Sequence, residues 1–201
     1  MNSSYHHGDL RQAVLSAAAA VIARDGVEQL SLRSVAAELG VSHTAPRHHF
    51  GSREGVFTAL AVEGYTLLDQ ALEAAVDRSF AEVGAAYVQF SVSHPGHFAV
   101  MHRPDLVQPD DPELVRVQQR TFARLTSGAG EHSSGLAQDQ AVAAIAAWSL
   151  VHGLAVLSLS GALDQAGLRE QAGGDLPSVA VRAAERLFGE SSSPPQERSS
   201  R

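Results

Sequence analysis

The chain contains no cysteine and no lysine. The first absence excludes disulfides, thiolate metal sites and cysteine nucleophiles. The second leaves arginine as the source of every fixed side-chain positive charge. GC-rich coding alone produces that bias, so no function is read from it. Alternating apolar and polar strand patterns are missing while alanine is abundant, which predicts helices throughout. Charged residues are sparse at 18%, yet hydrophobic residues reach 44%, a globular composition and not a disordered one. The motifs GxGxxG, GxxxxGK and GxSxG are missing too, and the chain reads as no enzyme. Residues 1–9 are polar, so no signal peptide is expected and a cytoplasmic location follows.

What is there is an acidic body with a balanced end. The net charge is −7, which at first argues against nucleic acid. Residues 1–60, however, hold five arginines (11, 24, 33, 47, 53) against five acids (9, 25, 28, 38, 54) and five histidines. The whole acidic excess lies downstream, as in a DNA reader whose positive charge is local.

The stretch Ser31–Ser52, SLRSVAAELGVSHTAPRHHFGS, reads as two short helices joined at Gly40-Val41-Ser42. Before it, Asp9 is placed to cap a first helix with an unbroken apolar stripe from Leu10 to Ile22, ended by Asp25-Gly26. Ser31 caps the second helix, whose buried face is Leu32, Val35, Ala36 and Leu39. Ser42 starts the third, which runs to His49 and carries small polar residues, two histidines and an arginine, with few apolar ones. Pro46 falls early enough in it to be tolerated. Ser52 caps a fourth helix, Arg53 to about Val76. Further helices are expected at Phe80–Val92, at about Glu113–Thr126 and at Leu176–Phe188. A short turn is expected at His97–Arg103, and loops at Pro104–Pro112 and Ser127–Gly135. Ala141–Leu163 is an uncharged run long enough to raise a membrane span. Its serines, glycines and histidine and its aspartate flanks favour instead a helix buried all round, in a subunit core and a dimer interface, with no membrane.

From Tyr5 to Tyr65 the sequence resembles the TetR family of bacterial transcriptional regulators, on YHHGDLR and SLRSVAAELGVSHTAPRHHFGSREGVF. The rest resembles a WHG-type regulatory domain, with Trp148, His152 and Gly153 as the name letters and HPGHFAVM at His94–Met101. The resemblance implies an all-α homodimer: an N-terminal three-helix helix-turn-helix DNA-binding domain plus a larger helical ligand-binding and dimerisation domain. The dimer would read a palindromic operator in double-stranded DNA, pair through its last two long helices and be released by a small-molecule effector, as a repressor. The expected division is 1–52 for DNA binding, 53–189 for regulation and dimerisation with 53–76 as the linking helix, and 190–201 as a disordered tail. One departure stands out: Arg47 occupies a place where many members have tyrosine, so base preferences do not carry over.

Within this frame His43, Thr44 and Arg47 are assigned to base edges or nearby phosphates. Ser31, Arg33, Ser42, His48 and Arg53 are assigned to phosphate positioning. For Ser31 and Ser42, as for Ser52, capping alone is an equal alternative. His49 is expected to pack, and Arg11 and Arg24 to face solvent. Phe90, Met101, Phe122, Trp148 and His152 are the candidates for a ligand pocket, although core packing alone selects the same residue types. The pairs His6-His7 and His48-His49 and the group His94, His97 and His102 lack carboxylates at a regular ligand spacing, so no metal and no cofactor is expected. The rival reading is a helical small-molecule-binding or scaffold protein without specific DNA binding.

Overall fold

The computed structural model describes residues 6–75, 78–131 and 137–188, with side chains left out for 6–9, 126–131 and 137–138. Every regular element among the described residues is a helix. Helix α1 (His6–Asp25) buries the stripe Val14, Leu15, Ala18, Val21 and Ile22. It begins at His6, so Asp9 lies inside the helix and does not cap it. Gly26 turns the chain at φ 88, and a single 3-10 turn at Val27–Gln29 leads to the anchor Leu30, 2% exposed. Helix α2 (Leu32–Glu38) is capped as expected, Ser31 Oγ accepting from Ser34 N at 3.0 Å. Gly40, at φ 66, ends it in a conformation that favours glycine.

Helix α3 (Ala45–Phe50) is shorter than expected. It starts at Ala45 with Thr44 at the cap position, not at Ser42. The reason is Pro46. A helix running in from Ser42 would set the proline ring against the Ser42 carbonyl, four residues back. Started at Ala45, the same proline sits in the first turn, where its missing N–H is harmless. Helix α4 (Arg53–Glu73) follows, with Ser52 Oγ accepting from Gly55 N at 3.2 Å. A Cβ at Gly55 would lie 1.9 Å from the Phe50 carbonyl oxygen, so only glycine lets α4 start against the end of α3.

Helix α4 is the spine. Val56, Phe57, Leu60, Tyr65, Leu68 and Leu72 are buried along it. Buried Asp69 pairs with Arg120 and Arg124, each at 2.8 Å. Helix α5 (Phe80–Ser93) opens with a Ser79–Glu82 capping box. His94 breaks it, and residues 95–101 then form helix α6 (Pro95–Met101), where only a turn from His97 was expected. Pro95 supplies the helix start, and Phe98 and Met101, three apart, bury one face. Helix α7 (Pro112–Glu131) is capped by Asp111 Oδ1, which accepts from Glu113 N and Leu114 N. It runs through the first part of the expected Ser127–Gly135 loop; 132–136 lie outside the described residues.

Helix α8 (Ala137–Leu159) covers most of the uncharged run expected to lie in a subunit core and a dimer interface. It ends at Leu159, because Gly161 takes φ 73, and only its inner face packs, on α5 and α7. Val142, Ile145, Val156, Leu157 and Leu159 remain exposed. Asp139–Leu159 is the one helix among the described residues long and apolar enough to cross a membrane, with mean hydropathy 2.0. Short helices α9 (Ala162–Gln165) and α10 (Leu168–Gln171) and the Gly173-Gly174 turn lead to α11 (Leu176–Phe188), which packs mainly on α5. The tail expected to be disordered, 190–201, lies outside the described residues, as does Val76.

Candidate nucleic-acid interface and ligand site

Helices α1, α2 and α3 pack on one another and on the start of α4, and this packing sorts the side chains of α3. Pro46 is buried, and His49 and Phe50 are partly buried. Thr44, Arg47 and His48, three and four residues apart, share the outer face and are exposed. Ser42 and His43 continue that face into the turn, with Ser42 Oγ and Thr44 Oγ1 2.9 Å apart. Arg11 on α1 lies over the Phe50 ring at 5.3 Å, a cation–π contact that ties the end of α3 to α1. Ser31 and Arg33 are exposed at the start of α2. Among the described residues neither Arg33 nor Arg47 is in an ion pair. Arg24 is held by its neighbour Asp25 at 2.8 Å.

Arg53 stands apart from the rest of the assigned set. Its Nη2 donates to the Val27 carbonyl, its guanidinium lies over the Phe57 ring at 4.9 Å, and its Nε is buried with no hydrogen-bond partner. The structure thus gives Arg53 an internal task, fastening the 3-10 turn to α4.

The candidate ligand residues divide as well. Phe122 and Trp148 pack edge to face, 5.3 Å between centroids, and Trp148 is 5.8 Å from the His152 ring. Around them lie Tyr65, Tyr87, Phe98 and His102, which the sequence reading left out of the site. Tyr87 Oη is the hub. It lies 3.0 Å from His152 Nδ1 and 3.2 Å from His102 Nε2, and it accepts from Trp148 Nε1 at 3.4 Å. Met101 contributes its carbonyl, which accepts from Tyr65 Oη at 2.7 Å, while its side chain packs on Gly64. Phe90 packs instead on His94, 5.2 Å between centroids.

On the other side of Trp148 is an apolar cleft between α5, α7, α8 and α11, lined by Phe80, Val83, Leu125, Val151 and Phe188 among others. It is narrow, with a cavity volume of about 30 Å³.

His97 is committed elsewhere. His97 Nε2 bonds Glu63 Oε2 at 2.9 Å, and Gln12 Nε2 donates to Glu63 Oε1 at 2.6 Å. One carboxylate on α4 therefore joins α6 to α1, and its hydrogen bond from His97 holds it below the usual carboxylate range. His6 and His7 lie outside the residues whose side chains are described.

Comparison with known proteins decides the family. The sequence model described as bacterial regulatory proteins of the tetR family matches residues 14–60, and that of the tetracyclin repressor-like C-terminal domain matches residues 80–187. The chain belongs to the TetR family of transcriptional regulators. A curated relative, an uncharacterised HTH-type transcriptional regulator of Mycobacterium tuberculosis, is 26% identical over 160 residues, covering 77% of this chain and 72% of the relative. A solved structure of a protein of unknown function from a Rhodococcus species is 30% identical with a TM-score of 0.72, covering 93% of this chain and 97% of that one. The TetR family transcriptional regulator PfmR from Thermus thermophilus shares the fold at 20% identity, TM-score 0.66, covering 87% of this chain and 96% of that one. The helix-turn-helix of α2 and α3 is thus the DNA-binding element of a TetR regulator, not part of an enzyme.

Tyr87 and His102 carried no local signal: Tyr87 is 61 residues from Trp148 and 65 from His152, so only the fold joins them.

Burial pushes the His102 imidazole down to about 4, with the neighbouring His152 adding to the effect. Burial lowers His152 as well. Both rings are therefore neutral when folded near pH 7. Below the unfolded value of about 6.5 the unfolded chain takes up protons that the folded one refuses. Stability then falls as pH drops from about 6.5 towards 4, by about 2 kcal/mol at pH 5 from His102 alone. Urea midpoints at pH 7.5 and pH 5 are expected to differ accordingly. In His102→Gln the difference should shrink; an unchanged difference would clear His102 of this role.

Proposed function

We propose that the protein is a ligand-responsive repressor that binds a palindromic operator as a homodimer and is released by a small molecule. The observation that carries the reading is the outer face of α3 and its approach. Thr44, Arg47 and His48 with Ser42 and His43 form one exposed polar surface, flanked by Ser31 and Arg33 at the start of α2. Arg47 is the group suited to a guanine edge, His43 and Thr44 to bases or nearby phosphates, and Ser31, Arg33, Ser42 and His48 to the backbone. Arg53 acts from behind, through the Val27 turn. Two such faces in a two-fold dimer need a separation of roughly 34–36 Å, or a modest deformation of the DNA.

Helices α8 and α11 supply the dimer contact, supported by the exposed Val142, Ile145, Val156, Leu157 and Leu187. The ring cluster at Trp148, His152 and Phe122, enlarged by Tyr87 and His102, is the effector site. In domain terms, 1–52 reads DNA, 53–189 regulates and pairs with 53–76 as the link, and the protein works in the cytoplasm.

The test is retention of genomic fragments, including the region upstream of the protein's own gene, at low and at physiological salt. Recovery of a palindrome whose binding weakens with salt supports the proposal; recovery of no specific fragment even at low salt defeats it. On the recovered site, Arg47→Ala is expected to lose roughly 1–3 kcal/mol and to relax selection at one base position. Uniform weakening across all sequences would move Arg47 to the phosphates.

A further inference from the structure

Three hydrogen-bonding groups converge on the Tyr87 hydroxyl, which has one proton to give and two lone pairs to fill. The Trp148 indole N–H only donates, so it takes one lone pair. Of the two imidazoles, one must accept the Tyr87 proton and the other must donate its ring N–H to the second lone pair. The hydroxyl is then saturated, and its Trp148 contact, at 3.4 Å, is the longest of the three. Trp148 also forms a wall of the apolar cleft, whose other lining residues carry no polar side chain. Trp148 is thus shared between the cleft and the Tyr87 cluster.

Taking the ligand-responsive reading above as given, we propose that the effector is an uncharged molecule with an apolar body and one hydrogen-bond-donating head, such as a hydroxyl or a primary carboxamide. The body enters the narrow cleft between α5, α7, α8 and α11 as Trp148 turns aside and widens it, and the head replaces the indole N–H on the Tyr87 oxygen. The Tyr87 oxygen then keeps both lone pairs filled, and the oxygen of the same head accepts the displaced indole N–H, as buried polar groups demand. An anionic head would set a charge among aromatic rings with no arginine bonded to Tyr87, His102, His152 or Trp148 among the described residues to offset it. A cationic head would find no carboxylate: among the described residues none is bonded to Tyr87, His102, His152 or Trp148. His102 closes α6, and α6 packs on α1, so the exchange takes place one helix away from the DNA-reading head.

Trp148 is the single tryptophan of the chain, so its emission reports the site directly. The full-length protein is titrated at pH 7.5 with octan-1-ol, octanamide and octanoate. The alcohol and the amide are expected to shift the emission saturably, with octanoate at least tenfold weaker. Tyr87→Phe should weaken the alcohol and the amide at least fivefold and leave octanoate unchanged. Because Tyr87 is fully buried, Ala147→Leu serves as a second variant; it narrows the cleft and should weaken all three probes. Equal or tighter binding of octanoate overturns the proposal, as does the absence of a saturable shift with any probe, or an Ala147→Leu protein that binds unchanged. Binding only by a monomeric variant would assign the cleft to the second copy and likewise overturn it. The operator-retention experiment uses no ligand, so a protein that selects its palindrome yet ignores these probes fails this proposal alone.

Discussion

Ile145→Asp is expected to turn the proposed dimer into a monomer and to weaken operator binding at least a hundredfold. On α8, positions 142, 145, 149, 153 and 156 recur at three and four, and so form one stripe. Val142 and Ile145 are 61% and 63% exposed, and a Cβ built at Gly153 meets nothing within 4 Å. A stripe with apolar Val142, Ile145 and Val156 and the small Ser149 and Gly153 between them suits close approach of a second copy of the same helix, since a two-fold contact presents one patch to itself. In the protomer alone the new carboxylate stays in water and costs little. In a two-fold interface it appears twice, unpaired and desolvated, and an uncompensated buried charge costs about 3–5 kcal/mol. Sedimentation in detergent-free buffer decides the matter. A wild-type mass near that of one chain at micromolar concentration would defeat the dimer, and a dimeric Ile145→Asp would move the interface elsewhere. The same experiment addresses the length and apolarity of Asp139–Leu159, because a membrane span would need detergent to stay in solution.

The elements whose signals are local were readable from the sequence. Ser31 and Ser52 cap as their spacing implies, and the stripe from Val14 to Ile22 is the buried face of α1. Errors arose where one residue carries two opposing tendencies. Ser42 is a good cap by type, but Pro46 moves the helix start to Ala45. His94-Pro95-Gly96 reads as a break, yet the proline that ends α5 also begins α6. Ala141–Leu163 lacks charge on every face, so composition could not tell the face packed in the chain from the face left for a partner. The position of Arg53 near the reading helix is legible, whereas its bond to Val27, 26 residues away, is not. The ligand cluster was half visible for the same reason: Trp148 and His152 lie one helical turn apart, while Tyr87 and His102 reach them only through tertiary packing.

Gly96→Ala is expected to lower the unfolding temperature by about 6–12 °C, corresponding to about 3 kcal/mol for a chain of this size. A contrary tendency opposes this loss, because alanine in a helix gains up to about 1 kcal/mol over glycine. Sterics decide the sign. A Cβ at position 96 would lie 2.1 Å from the Ala19 carbonyl oxygen and 2.8 Å from its carbon. These are backbone atoms in the middle of α1, so no side-chain rotation relieves the overlap. Helix α6 would have to draw back from α1, loosening the buried Phe98, Val100 and Met101 and the Gln12–Glu63–His97 bridge that joins the reading head to the body. Overpacking of this kind costs 1–3 kcal/mol and occasionally more; contact with rigid backbone places this case at the upper end. Gly153→Ala is the matched control, a glycine with an open Cβ position in the protomer, and there the helix-propensity gain should survive in the stability of a monomeric background such as Ile145→Asp. Thermal unfolding of both variants checks the pair. A Gly96→Ala protein as stable as the parent would mean that α6 does not sit on α1 this closely, and the proposed short path from the ligand cluster to the DNA-reading helices would lose its first contact.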